Sequence, residues 1–367
     1  MNNGSANRHK PFAVHWRSGN EFFPMILTPE ELLAIQDNPA LLDRQAITCP
    51  PSDYLWAMFG LGSELYVEPR PRQQLRLDML NLQEDYYQRF GGHIKYCSYY
   101  SAERFRRTSK SQSLKLKGNP FAMVRDKIGD WPDDVMYCNR LFAPYTHPGF
   151  PDSAGRFSPW ESNICVAAEN RHRLSVHDCY MQVGDGQGGV HFETLREAVL
   201  GWCQKIRPVH GQAGFSIITS SIASEPFVYP TMRAHPGLDL IQYVSFSDSS
   251  EGVFNRIKCV NWLTVLGDEV LNELGGLETA KKVLEPGCTL YPYTGGVVIQ
   301  AGPVPQLGDT EQGFIPECYR KVAQFTKVVR FEGYKYPSGG LFRVNDFFFR
   351  NSLNAVEETL KWIRRFD

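Results

Sequence analysis

Residues 252–313, GVFNRIKCVNWLTVLGDEVLNELGGLETAKKVLEPGCTLYPYTGGVVIQAGPVPQLGDTEQG, decide how the fold is read. Val260 to Leu266 is apolar and β-branched, which suits a strand, and Gly267-Asp268 ends it with a turn residue and a helix N-cap. Val270, Leu271 and Leu274 then recur at helical spacing, and Gly275-Gly276 supplies the positive-φ ending that helices favour. A second short helix is expected from Leu277 to about Leu284, where Pro286-Gly287 stops it. Cys288 to Tyr293 and Val297 to Ala301 flank Thr294-Gly295-Gly296 as a β-hairpin, and a Gly/Pro loop follows, ending in Asp309 and Glu311. The order is strand, two helices, hairpin, loop.

Outward from this stretch, Ser162 to Glu169, Ser175 to Val183 and Gly214 to Thr219 are strand-like, with Gly184 to Gly189 as a turn after the second. Phe192 to Ile206 is an amphipathic helix through Leu195, Val199, Leu200, Trp202 and Ile206, with Pro208 beyond it. Glu317 to about Val329 and Asn354 to Arg364 read as the last two helices. Near the start, Thr28-Pro29-Glu30-Glu31 opens a helix with a capping box. Tyr54 to Phe59 is aromatic enough for a strand or a helical turn, and Gln73 to Phe90 is a longer helix between Pro71 and Gly91-Gly92. Strands and helices without strict βαβ alternation predict an α+β fold: a mixed or antiparallel sheet with flanking helices and a partly helical N-terminal region. Residues 1–130 form that N-terminal region, 131–159, rich in Pro, Asp, Gly and aromatics, a connection, and 160–367 the α+β domain.

Gly237-Leu238-Asp239, Val260-Asn261-Trp262-Leu263-Thr264, Leu266-Gly267, Leu274-Gly275-Gly276, Ala301-Gly302-Pro303 with Pro305, Gly308-Asp309, Gly313 and Trp362-Ile363-Arg364-Arg365-Phe366-Asp367 occur in one order. In these elements the chain, from about Phe192 to its end, resembles the bacterial type VI secretion immunity family, especially its TsiT-type members. The resemblance implies an immunity protein that binds and silences a cognate type VI effector, of nuclease type with a restriction-endonuclease fold. It carries no catalytic residues.

Charge and cysteine usage bound the alternatives. Lys and Arg number 39 against 40 Asp and Glu, a net charge of -1, so no global field draws the chain to nucleic acid or an anionic membrane. The basic run Arg104 to Lys117 reads as a solvated loop or edge strand. Nine cysteines are scattered with no CxxC pair and are expected to be reduced. The N-terminus lacks an apolar h-region and no window approaches about 18 uncharged apolar residues, so a cytoplasmic protein is expected.

Groups with the residue types of a reactive site read more simply as structure. His172, His177, Cys179 and His191 match no compact zinc signature, so no metal and no cofactor is expected. The Gly184 to Gly189 run lacks the Lys and Ser/Thr of a phosphate loop, and Cys203 has no evident His partner. Asp309, Glu311 and Glu317 suit a loop end and a helix start better than paired acid–base carboxylates. A hydrolase or small-ligand enzyme using residues 184–191 is the alternative; the leading expectation is a non-enzymatic inhibitor acting by stoichiometric binding, with no nucleic-acid or membrane partner. A nuclease site built for phosphate and divalent metal is satisfied by carboxylates and amides on loops. Two loops present them: Asp185 and Gln187 in the glycine turn, and Asp248, Ser249, Ser250 and Glu251 before the opening stretch.

Overall fold

The computed structural model describes residues 27–49, 54–99, 112–116, 118–119, 121–128, 131–145, 147, 158–219, 225–241, 243–335 and 355–367. Residues 104–111 and 117 of the basic run, and the polar start of the chain, lie outside the described residues.

One sheet organises the molecule around β2 (Tyr54–Val67), a strand that continues eight residues past Phe59, where the aromatic signal ends. On one side, Leu61 to Val67 pairs antiparallel with β7 (Ser175–Met181); on the other, Ala57 to Tyr66 pairs antiparallel with β8 (His210–Thr219). Gly60 and Gly62 permit these close approaches: a Cβ on Gly60 would lie 2.8 Å from the Met181 carbonyl oxygen, and one on Gly62 2.6 Å from Ile241 Cδ1. Beyond β8 come β10 (Leu263–Gly267), β12 (Gly296–Ala301) and the edge strand β11 (Cys288–Tyr293). Beyond β7 come β6 (Glu161–Val166), β5 (Tyr137–Phe142), β3 (Tyr96–Tyr99) and β4 (Gln112–Lys115). β1 (Ala46–Cys49) pairs with the start of β2, and β9 (Asp239–Leu240) runs parallel to β8, as the one parallel contact among the described strands. The α+β expectation, with a mixed, mainly antiparallel sheet, holds.

Helices Arg72–Phe90 and Phe192–Ile206 cover one face. Gln83 Nε2 donates to the Ser162 carbonyl at 2.8 Å and the Tyr86 hydroxyl to the Tyr180 carbonyl at 2.7 Å, while Trp202 Nε1 ties the two helices through Asp85 Oδ2 at 2.9 Å. The other face is closed over β2 and β8 by helix Tyr243–Ser249 and residues 329–334: Phe246 meets the Tyr66 ring edge-on at 4.9 Å and Phe331 at 5.6 Å. Trp202, Trp262 and Trp362 are fully buried. Removing some 150–250 Å² of each indole from water contributes about 4–6 kcal/mol apiece before conformational entropy is charged.

Local expectations hold with adjustments. The capping box at Thr28 and Glu31 forms, helix Phe192–Ile206 matches residue for residue, and the hairpin turns on Thr294 and Gly295 with Tyr293 paired to Gly296. β10 begins at Leu263 rather than Val260, because Asn261 turns the backbone before it: the Trp262 N–H is spent on Asn261 Oδ1 at 2.7 Å, and Trp262 Nε1 donates to the Gly302 carbonyl at 3.1 Å. Asp268 is the first residue of helix Asp268–Glu273, not its cap; Gly267 holds the cap position, and Asp268 and Glu269 act through the helix dipole. Within 131–159, residues Tyr137–Phe142 form the strand β5 between β6 and β3.

Candidate functional site: a surface ion pair and the buried node behind it

The two acidic stretches chosen from sequence do not meet. Asp185 follows the end of β7, whereas Arg173, which holds the second stretch, precedes its start; the seven residues of β7 itself span about 20 Å at strand rise. Asp185 is spent locally. Its Oδ1 accepts from the backbone N–H of Gln187 at 2.7 Å and of Gly189 at 2.8 Å, which keeps the carboxyl below its ordinary range and closes the turn. Asp43 anchors the same turn from outside, accepting from Val183 and Gly184 N–H at 2.8 Å each. Burial pushes that carboxyl up to about 6 despite these bonds.

Residues 247–251 are not a free loop. Ser247, Asp248 and Ser249 end helix Tyr243–Ser249, and Ser250 and Glu251 turn out of it. Ser250 is buried, so it presents no contact surface, and Ser249 is half-buried. Asp248 and Glu251 face outward enough to pair with Arg173, Glu251 Oε2 at 3.3 Å. Two carboxylates about one guanidinium leave a local charge of roughly -1 on this rim.

Behind the surface lies a buried ionic node that local sequence did not announce. Lys258 is fully buried; its Nζ donates to Glu64 Oε2 at 2.5 Å and to the Leu240 carbonyl at 2.8 Å, and lies 3.7 Å from Asp239 Oδ1. Gln212, opposite Glu64 on β8, donates from Nε2 to the same Glu64 oxygen at 2.5 Å. Burial pushes the Glu64 carboxyl up to about 7 against the pull of Lys258. Burial acts to lower the Lys258 ammonium, but Asp239 and Glu64 more than reverse it and hold it above its ordinary value.

Strand register extends this node into a polar row. Thr264, Gln212, Glu64, Asp178, Asn163 and Arg140 stand directly opposite one another on β10, β8, β2, β7, β6 and β5. Asn163 Nδ2 donates to Asp178 Oδ2 at 2.7 Å and to Glu161 Oε1 at 2.9 Å, and Arg140 grips both Glu161 oxygens through Nε and Nη2, at 2.8 and 2.5 Å. Burial holds Asp178 well above the carboxylate range.

Several of the residues that carried the family resemblance meet around Arg365 and Gly308. Arg365 donates to the carbonyls of Pro236 at 2.6 Å, Val260 at 3.0 Å and Trp362 at 3.2 Å, and stacks over Trp362 at 3.8 Å. Gly237 has room for no side chain, since a Cβ would stand 1.8 Å from the Gln306 carbonyl oxygen. His235 joins the N-terminal part to the Gly308 loop. Its Nε2 accepts from Leu27 N–H at 3.2 Å, so Nδ1 carries the proton and donates to the Gly308 carbonyl at 3.0 Å. These are joints of the scaffold.

Of the four residues weighed for a metal, His172 is exposed and Cys179 is fully buried. His177 is buried, with Nε2 3.1 Å from Ser162 Oγ, and His191 meets Trp160 edge-on. Among the described residues no group of three or more His, Cys, Asp or Glu is placed to hold a metal ion, and no helix is long and apolar enough to cross a membrane.

The model of the family described as TsiV, type VI immunity for VRR-NUC, matches residues 184–366. No curated protein matches the chain. Among solved structures, the Pseudomonas aeruginosa T6SS protein PA0821 is similar with a TM-score of 0.68 and 20% identity, over 92% of this chain and 91% of that one, a likeness of fold. The match is at the level of the family and does not single out its TsiT-type members.

Proposed function

We propose that this chain, which belongs through residues 184–366 to the type VI immunity family for VRR-NUC, neutralises a cognate nuclease effector by binding it stoichiometrically, without turnover. The family match carries the reading. The effector's substrate is nucleic acid, so the protein works in the cytoplasm, where that substrate lies. Binding of this kind needs a rigid scaffold with a few anchors and a charged rim, and the joined sheet and buried node supply the rigidity.

The contact surface is proposed around Asp248, Glu251 and Arg173, with the Asp185 and Gln187 turn as a separate, second rim. Net acidic charge at Asp248 and Glu251 would meet the basic groove with which a nuclease receives phosphate. Calorimetry and stopped-flow mixing with a purified effector nuclease domain test both levels. One-to-one binding that abolishes cleavage is expected. Asp248→Asn with Glu251→Gln should slow association by about ten-fold at low salt, with a shallower salt dependence and an unchanged fold. An association rate unchanged across salt removes this rim, and protection at substoichiometric amounts removes the binding mechanism.

A further inference from the structure

We propose that Cys138 and Cys165 form a modification site: a dithiol that a small-molecule disulfide of the glutathione class closes into a cross-strand disulfide stapling β5 to β6.

The two residues are direct partners in the antiparallel ladder, and their Sγ atoms lie 3.1 Å apart. Residues facing each other across such a ladder hold their Cα atoms about 4.5–5.5 Å apart, inside the roughly 4.4–6.8 Å that a disulfide spans, so closure needs side-chain rotation and no strand movement. Cys138 is half-buried and Cys165 buried, so Cys138 is the thiol that a reagent meets first when the edge of the sheet opens locally. Several other thiols are turned to oxygen acceptors: Cys97 to Asn139 Oδ1 at 3.3 Å, Cys259 to Asp239 Oδ2 at 3.7 Å and Cys318 to the Gly287 carbonyl at 3.1 Å.

The chemistry balances with glutathione disulfide as oxidant. The Cys138 thiolate attacks one sulfur of it, forming a mixed disulfide and releasing one glutathione; Cys165, deprotonated, then attacks the Cys138 sulfur and releases the second. Two electrons pass from the protein to the reagent, and the two protons end on the two glutathione thiols. The Cys165 contact, with burial, holds the Cys138 thiol well above its ordinary range, so closure is slow and follows a lasting rise in oxidised glutathione, not a brief pulse.

The full chain is incubated for hours in about ten-fold excess of oxidised over reduced glutathione, quenched with acid and alkylating agent, and mapped by mass spectrometry. The expected result is one linked pair of peptides, containing Cys138 and Cys165, lighter by about 2 Da than its free dithiol, with a thermal midpoint raised by about 5 °C that reductant reverses. Cys138→Ser should abolish both the link and the oxidant-dependent rise while keeping the reduced protein's midpoint. Mapping separates this link from one between Cys288 and Cys318, which are also neighbours. Two free thiols after the full incubation, a stable glutathione adduct on Cys138 without closure, or a link that appears only in urea would each overturn the proposal.

Discussion

Replacing Lys258 by Met keeps the unbranched stem, one atom shorter, and deletes its charge, which tests the buried node directly. Glu64 would lose an ammonium at 2.5 Å, Asp239 one at 3.7 Å, and the Leu240 carbonyl a donor at 2.8 Å. Breaking a buried ion pair from one side costs about 3–5 kcal/mol, a large share of the total stability of a single domain. The cost depends on pH in a definite direction. Glu64 has its folded-state value raised from 4.5 to about 7, so the folded state binds that proton more tightly than the unfolded chain. Stability from this group is full below about 4.5 and is lost as pH rises through 7. Without Lys258 the carboxyl shifts further up, and the deficit of the variant should be larger at pH 8 than at pH 5. Urea unfolding followed by tryptophan fluorescence at both values measures it. Glu64→Gln in the Lys258→Met background should restore about half the loss, whereas in the wild-type background it should destabilise. A Lys258→Met protein within about 1 kcal/mol of wild type at pH 8, or a Glu64→Gln effect equal in both backgrounds, would refute the pairing.

Trp262→Ala removes a fully buried indole and its bond to Gly302, and should lower unfolding free energy by about 3–5 kcal/mol; an unchanged urea midpoint would show that the indole is solvated. Asp43→Asn removes the group whose value burial raises from 3.8 to about 6. Wild type should therefore lose stability relative to the variant as pH rises through that window, and a wild-type-minus-variant difference that is flat between pH 4 and 6.5 would show that Asp43 titrates normally.

How much of this was legible depended on whether the deciding contact was local. Helix Phe192–Ile206 and the Thr294-Gly295 hairpin read correctly because apolar spacing, a flanking Pro208 and turn glycines lie within the segments themselves. The second half of β2 did not, since Gly60, Gly62, Ser63 and Glu64 resemble a loop until Ile241, Met181 and Lys258 are brought against them. Lys258 is 194 positions from Glu64, and no window contains both. β5 was hidden for a related reason: Asn139 and Arg140 look solvated, yet the first is buried against Gln83 at 2.5 Å and the second paired to Glu161. At the candidate rim, the Ser/Asp composition of 247–251 suggested a loop, but burial of Phe246 against Tyr66 makes a helix of its first part. The family-like motifs were visible as words; that they act as joints required the coordinates of their partners.

The place of β2 between β7 and β8 sets a clock on synthesis. Glu64 and its ladder partner Gln212 are 148 positions apart, so at about 5–20 residues per second a ribosome needs roughly 7–30 s to deliver the partner after the strand has emerged. For that interval the β8-facing edge of a fourteen-residue strand, Ala57 to Tyr66, waits with its backbone unpaired, a state prone to association with other nascent chains. New copies are thus late to arrive and exposed while they form. On the function proposed above, a cell is defended by the copies it folded beforehand, and slower translation or scarce chaperone would erode that reserve before it altered the strength of any single complex.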